Sequence, residues 1–418
     1  MKTLKKWSSV VGVVLFFTIA LSLSSVNAAV KIAYWNLLNW PNASSLVTDT
    51  TTRCPMFRAV MDVVRPDILV TGENQSTQSV PYFLQQVLNA NGSNYRQGVY
   101  IQGVDSNNGI FFLDSLFAFV SNVPIRTTLR DISQFTLIYK PTGDTLRIYA
   151  VHLKAATGST NEAQRAQEVD SLRKVTNALP AGTDFIVCGD FNIYGDYESA
   201  YQKLVVDNTW NDGHFVDPIS ITGVWNNPSY SFYHTQSTRS TSVGGGAGGG
   251  LDDRFDMILN SSAVAQSGGM YYVPGSCQPF GNDGNHFSRS INFGTNTAVS
   301  AAVANALYGA SDHLPIVAEY DFGTNPGIEE TYLEKAITVF PNPSSGRFTV
   351  RLEGGKHISS WRLIDGKGAL VDAQIVADLV FENAELLEIA PEKSLLPGIY
   401  GLLLNVDNIQ IIKHIYIY

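Results

Sequence analysis

The sequence predicts a layered α/β body followed by a small β-sandwich. Three observations lead there. Short apolar runs alternate with helix-period segments from about residue 30 to 320, several of those runs end in polar side chains, and after Phe322 the texture changes to strand-like pieces spaced by turn signals. A chain of 418 residues is long enough for two or three domains around a large core. With 44% hydrophobic and 16% charged residues it is globular in composition, not disordered. A formal net charge of −9 excludes a protein that coats nucleic acid through bulk basicity. It does not exclude an enzyme that holds phosphates through a cation and a few local donors.

Residues 1–28 read as an export signal. Lys2, Lys5 and Lys6 precede an apolar run from Val10 to Leu23, and Val26-Asn27-Ala28 supplies the small-residue cleavage pattern. That run is short for a membrane span and no later stretch is apolar for long enough, so no integral membrane segment is expected once the signal is removed. Three cysteines remain in an oxidising compartment: Cys188 reads as an apolar filler, while Cys54 and Cys277 are a possible pair that sequence separation does not decide.

Val30–Asn36 alternates like a strand and ends in polar residues. Helix-like spacing of Met56, Val60, Val63 and Val64 covers 53–65 and stops before Pro66. Asp67–Glu73 is a second strand, ending in glycine and then an acid, and Val80–Leu88 reads as a helix. Gly98–Val120 holds Phe-rich strand pieces with an expected Asn108-Gly109 turn. Phe135–Lys140 and Leu146–Lys154 form a hairpin that brings His152 to a strand end. Glu162–Leu179 is the best helix pattern, stopped by Pro180. Phe185–Cys188 is a buried strand that runs through Gly189 into Asp190 and Asn192, and Tyr197–Val206 reads as a helix. TSVGGGAGGG at 241–250 reads as a flexible surface loop, since no Lys follows and no helix opens as a nucleotide loop requires. Asp252–Leu259 is a strand, 260–310 a loop insertion with an Ala-rich helix at 298–307, and Ser311–Tyr320 the closing strand. Residues 323–336 have linker composition, and 337–418 read as the β-sandwich, which contains no cluster of catalytic residue types.

Asn36, Glu73, His152, Asp190 with Asn192, Asp256, and Asp312 with His313 all stand at strand ends or starts. In a layered α/β fold such residues meet on one rim. Carboxylates gathered there repel unless a cation sits among them, and oxygen ligands select a hard ion: Mg²⁺ first, with Mn²⁺ or Ca²⁺ as alternatives. Two histidines on the same rim provide one group to take a proton and one to give it. This is equipment for metal-assisted hydrolysis of a phosphate ester. Singly, each residue has an ordinary structural explanation, such as a strand cap, a surface acid, or an Asp256 pairing with a nearby base. It is their shared context that argues for a site.

The stretches YWNLLNW, LVTGENQ, YAVHLKA, VCGDFN, DRFDMIL and SDHLPIV, in this order, resemble the endonuclease/exonuclease/phosphatase superfamily of DNase I, abasic-site endonucleases and bacterial sphingomyelinases. The resemblance implies a DNase I-like two-sheet α/β sandwich over residues 29–322. It implies Glu73 as the principal metal carboxylate with Asn36 and Asp312 beside it, and Asp190 with Asn192 positioning water and the scissile phosphate. It further implies His313 at the phosphate, oriented by Asp256, and His152 protonating the leaving oxygen, with Asp253 a spare candidate. The family's usual Gln before the glutamate is replaced by Gly72, so its contact is lost. VFPNPSSGRF, LPGIYGLLL and the terminal IIKHIYIY resemble the type A C-terminal sorting domain of the Bacteroidetes type IX secretion system. That implies export through the type IX machinery to the cell surface or medium.

The expected function is a secreted, divalent-metal-dependent phosphodiesterase, a monomer acting on extracellular DNA or RNA, with Arg126, Arg130, Lys154 and Arg165 available to line a groove. One alternative is a sphingomyelinase-like phospholipid hydrolase, for which Tyr271, Tyr272 and Phe280 would form an exposed aromatic loop. Another is a non-catalytic surface binding protein on the same fold.

Overall fold

The computed structural model describes residues 29–41, 50–207, 211–266, 269–322, 333, 336–354, 356–381, 384–406 and 409–418. The export signal and most of the linker read from the sequence lie outside them.

Alternation along each strand decides the layers. In β1 (Val30–Trp40), Ile32 and Tyr34 face one way and Ala33 and Trp35 the other, and all four are buried. A strand buried on both faces needs cover on both. β1 pairs in parallel with β2 (Ile68–Asn74), which pairs antiparallel with β4 (Asn107–Leu113), and β4 with β3 (Tyr95–Gln97). On its other side β1 pairs with β13 (Ile316–Phe322), which carries β11 (Met270–Tyr272) and β12 (Gln278–Pro279). The second sheet runs in spatial order β5 (Phe117–Ile125), β6 (Ile132–Tyr139), β7 (Thr145–His152), β8 (Phe185–Asp190), β10 (Asp256–Ser261) and β9 (Phe215–Val216).

Between the sheets lies one core, where Ile32, Tyr34, Ile68 and Val70 meet Phe135, Leu137, Ile148, Ile186 and Ile258. Helices α1 (Thr50–Val64) and α6 (Ala301–Ala310) cover the outer face of the first sheet through Phe57, Val60, Leu307 and Ala310. The outer face of the second sheet is covered by α3 (Ser159–Thr176) and α4 (Ser199–Val205), which bury Val169, Leu172, Ala200 and Leu204. Two shorter helices, α2 (Ser79–Phe83) and α5 (Ser262–Gln266), complete the set. This is the two-sheet α/β sandwich that the sequence predicts. Residues Ile337–Ile417 form a separate pair of four-stranded antiparallel sheets around Val350, Leu387, Leu402 and Ile415, the small β-sandwich. Among the described residues, no helix is long and apolar enough to cross a membrane.

Several local readings are corrected. Asn108-Gly109 is not a turn but part of β4, and the chain reverses instead at 114–116. The glycine is needed for close approach: a Cβ there would lie 2.8 Å from Val80 Cγ2. The region 260–310 is not merely a loop insertion, because β11 and β12 extend the first sheet. Cys54 packs on the outer face of the first sheet and Cys277 on its inner face, so no disulfide joins them.

Candidate active site

Strand direction brings the polar ends together. β7 and β8 run parallel and β10 antiparallel to them, so the ends of the first two meet the start of the third. His152, Asp190 and Asp256 stand directly opposite one another across the three strands. On the first sheet Asn36 is paired with Gly72, Glu73 follows at once, and antiparallel β13 starts at this same rim, preceded by Asp312 and His313. Ser311 ties the two segments: its hydroxyl donates to Asn36 O and accepts from His313 N–H. Trp35 Nε1 donates to His313 O at 2.8 Å. The structure thus brings together all eight side chains singled out from the sequence.

Backbone strain concentrates at this rim. Leu38, Asn39, Glu73 and Asn192 have left-handed φ of 50°, 49°, 59° and 51°. Asn tolerates that region, but for Leu and Glu it costs about 1–3 kcal/mol each unless the surroundings fix it. Here they do: Asn39 N–H donates to Glu73 Oε2 at 2.7 Å, and Asn192 N–H donates to Asp190 Oδ1 at 3.1 Å.

Asp190 is the hub. Its Oδ2 accepts from Asn36 Nδ2 at 3.2 Å and lies 3.6 Å from His152 Nε2 and 3.7 Å from His313 Nε2. His313 Nδ1 is 2.7 Å from Asp256 Oδ2, with both side chains buried. Burial works against a charged imidazole, but Asp256, Asp312 and Asp190 outweigh it and hold the His313 pKa well above its ordinary value. Asp190 lies beside His152, but burial dominates there. Burial, then Arg130 and His313, push its pKa well below the ordinary value and keep it neutral. Burial raises the Asp190 carboxyl to about 7, with Asp256 and Glu73 adding to the shift and His313 opposing it. Glu73 is raised by burial and then by the charge of Asp312.

Ligand atoms of Asp190, Asp256 and His313 all lie within 4.8 Å of one another. Asp256 Oδ2 and His313 Nδ1 are already engaged with each other, while Asp256 Oδ1 is buried without a partner. A hard cation fits the neighbouring donors. Glu73 and Asp312 are carboxylates close enough to repel, and Asp312 Oδ1 is buried without a partner. Asn36 points its NH₂ group at Glu73 Oε1, at 3.0 Å, and at Asp190, while its amide oxygen accepts from Leu38 N–H. The nitrogen therefore occupies the position among the carboxylates where positive charge is needed.

Three features carried no sequence signal. Gln236 Nε2 lies 2.5 Å from His313 Nε2 and 3.5 Å from Asp312 Oδ2, spanning these two neighbouring side chains. Thr235 Oγ1 accepts from Asp256 N–H at 3.0 Å. The hydroxyl of Tyr34, buried and without a partner, fills the space where a Cβ at Gly72 would stand. Asp253 joins through its backbone, its carbonyl accepting from Thr235 and Gln236 N–H and its own N–H donating to Gln236 O.

The expected groove cations are engaged. Arg126 pairs with Asp131, Arg130 with Asp105 at 2.9 Å, and fully buried Arg165 with Glu198 at 2.8 Å, while Lys154 Nζ donates to Ala155 O. Nor do the expected aromatics form an exposed loop. Tyr271 and Tyr272 lie in β11, Tyr272 packs on the inter-sheet core, and Phe280 packs on the core beneath α1.

Residues 338–418 match a family described as the secretion system C-terminal sorting domain. No curated protein matches the chain. Among solved structures it is similar to the human Nocturnin catalytic domain with bound sulfate, at 19% identity and TM-score 0.44, covering 70% of this chain and 94% of that one. It is also similar to D. rerio TDP2 complexed with single strand DNA product, at 14% identity and TM-score 0.44, covering 71% and 100%. A third is an endonuclease/exonuclease/phosphatase family protein from Bacteroides thetaiotaomicron, at 15% identity and TM-score 0.42, covering 70% and 95%.

Proposed function

We propose that the chain is an exported, divalent-metal-dependent phosphoric ester hydrolase that cleaves phosphodiesters, with extracellular nucleic acid as its first substrate class. One observation carries the reading: His152, Asp190, Asp256 and His313 converge with Asn36, Glu73 and Asp312 on a single rim although they are spread along nearly the whole body. The C-terminal sorting domain supports export by the type IX route.

Each residue is assigned a role from its surroundings. Asp190, raised toward neutral pH, takes a proton from the attacking water. His313, held protonated by Asp256, donates to a phosphoryl oxygen and steadies the charge that develops there. Asn192 keeps Asp190 in place through its backbone N–H. His152, neutral in the free protein, gains a proton only when an anionic phosphate arrives beside it, and then delivers that proton to the leaving oxygen. Glu73 and Asp312 would hold Mg²⁺ or Mn²⁺, with Asn36 joining them once its amide turns its oxygen toward the ion, and the bound cation would offset phosphoryl charge as a Lewis acid.

A second reading, a hydrolase of small phosphoesters, draws support from the pairing of Arg126, Arg130 and Arg165, which leaves few free cations to track a polymer backbone. The phospholipid version has lost its exposed aromatic loop. The test is a panel of single-stranded DNA, RNA, phosphocholine lipids and sugar phosphates with Mg²⁺ or Mn²⁺, with and without EDTA. Metal-dependent release of nucleotides supports the first reading. Turnover of sugar phosphates alone replaces it with the second, and no turnover of any member leaves a non-catalytic binding protein.

A further inference from the structure

We infer that the glycine run 244–250 is a folded clamp that selects which oxygen of Asp312 faces the cation. The inference rests on the reading of Asp312 as a cation ligand. Ala247 N–H donates to Asp312 Oδ2 at 2.7 Å, and Gln236 approaches the same oxygen. The other oxygen, Oδ1, is buried and has no partner. One carboxylate oxygen is therefore held by the loop and the other is left bare.

The contact is close. A Cβ on buried Gly246 would stand 3.0 Å from Asp312 Cγ and Oδ2 and 2.9 Å from Leu38 Cδ2. Leu38 follows Asn36 by two residues, so the loop presses at once on the chain that carries Asn36 and on Asp312. A side chain there would push Leu38 or the Asp312 carboxylate out of place.

The loop is not free to leave. Ser237 Oγ donates to Ala247 O at 2.8 Å and Ser237 N–H to Gly250 O at 2.7 Å. Gly249 and Gly250 donate back to Ser240 O and Arg239 O. Buried Arg239 reaches Val243 O at 2.8 Å from one end of its guanidinium and Tyr308 O at 2.7 Å from Nε. Glycines recur because the path demands them. Gly244, Gly245, Gly249 and Gly250 have φ of 61°, 81°, 109° and 90°, and a Cβ on Gly248 would lie 2.7 Å from Ser242 N. The run that reads as a flexible surface loop is thus ordered by the need for close backbone approach.

Two measurements on the full chain test this. Calorimetric titration with Mn²⁺ compares wild type, Asp312→Asn, Gly246→Ala and the exposed-loop control Ser242→Ala. Gly246→Ala is expected to weaken Mn²⁺ binding about tenfold, and Ser242→Ala to leave it unchanged. Wild-type affinity in Gly246→Ala overturns the clamp while leaving the metal reading intact. If wild type takes up no Mn²⁺, or Asp312→Asn binds it like wild type, the metal reading itself fails and the clamp with it. Hydrogen exchange by mass spectrometry needs no variant: the clamp requires slow exchange in the metal-free protein at the amides of 246, 247, 249 and 250. Complete exchange of that peptide at the earliest time point overturns the inference whether or not Gly246→Ala folds.

Discussion

The two sheets contribute unlike halves to the rim. The second sheet offers His152, Asp190 and Asp256 on three adjacent strands in direct register, with regular backbone up to the strand ends. The first sheet offers Asn36, Glu73 and Asp312 from a strand end, a left-handed residue and a loop, stabilised by neighbours such as Asn39, Ser311 and Ala247. Asp256 Oδ2 is taken up by His313, although Asp256 Oδ1, like Asp312 Oδ1, is buried without a partner, and Glu73 is raised by burial and then by the charge of Asp312. Regular pairing aims His152 and Asp190 before substrate arrives, while His313, from the segment ahead of β13, is aimed by Asp256 and Ser311.

This contrast can be broken experimentally. The largest effect is expected from His313→Ala, a loss of about 10³-fold in kcat with Mn²⁺ binding retained. Loss of Mn²⁺ binding as well would show that the halves are not separable. Glu73→Gln should weaken Mn²⁺ binding by more than about 100-fold, beyond what losing an outer partner causes. Retained affinity in calorimetry would remove Glu73 from the cation half. Asp256→Asn should lower kcat by about 10²-fold and move the His313 pKa down, because the carboxylate bonded to its Nδ1 is no longer charged. An NMR titration with an unmoved imidazole pKa would contradict the pairing.

A smaller effect concerns stability against pH. Folded Asp190 and Asp253 bind their protons more tightly than the unfolded chain, each raised to about 7, and His313 is shifted the same way. The folded state therefore holds more protons, and stability falls as pH rises from about 4 through 7. His152, shifted down, opposes this only below its ordinary pKa, where stability is lost as pH falls. The metal-free chain should lose about 5 °C of Tm between pH 5 and 8, and Mn²⁺ should recover it. A Tm that rises over that range with EDTA present would contradict the charge arrangement. The smallest change is expected from Arg130→Ala, less than about threefold in KM for single-stranded DNA, since its charge is already matched by Asp105. A tenfold rise would restore Arg130 to a substrate groove.

How much of this was legible depends on whether a residue's job is local. VCGDFN is a strand end and SDHLPIV a strand start, so polar residues at the edge of an apolar run located Asp190, Asn192, Asp312 and His313 directly. Both sheets of the sandwich follow from the same alternation. Gln236 sits in a stretch with no period and reaches His313 only through tertiary packing. The availability of Arg126, Arg130 and Arg165 was misread because partners such as Asp105 and Glu198 lie 25 and 33 residues away. Glycine composition in the 241–250 run fits both a mobile linker and a tightly packed path, and only contacts distinguish them.

The Tyr34 hydroxyl and the missing side chain of Gly72 have a consequence for variation among relatives. Neither position is free to change by itself: a glutamine introduced at 72 would strike the ring, and a smaller residue at 34 would open a void beneath the carboxylates. The two should covary, bulk at one trading against bulk at the other. Restoring glutamine will be tolerated only in a double replacement that also trims the phenol.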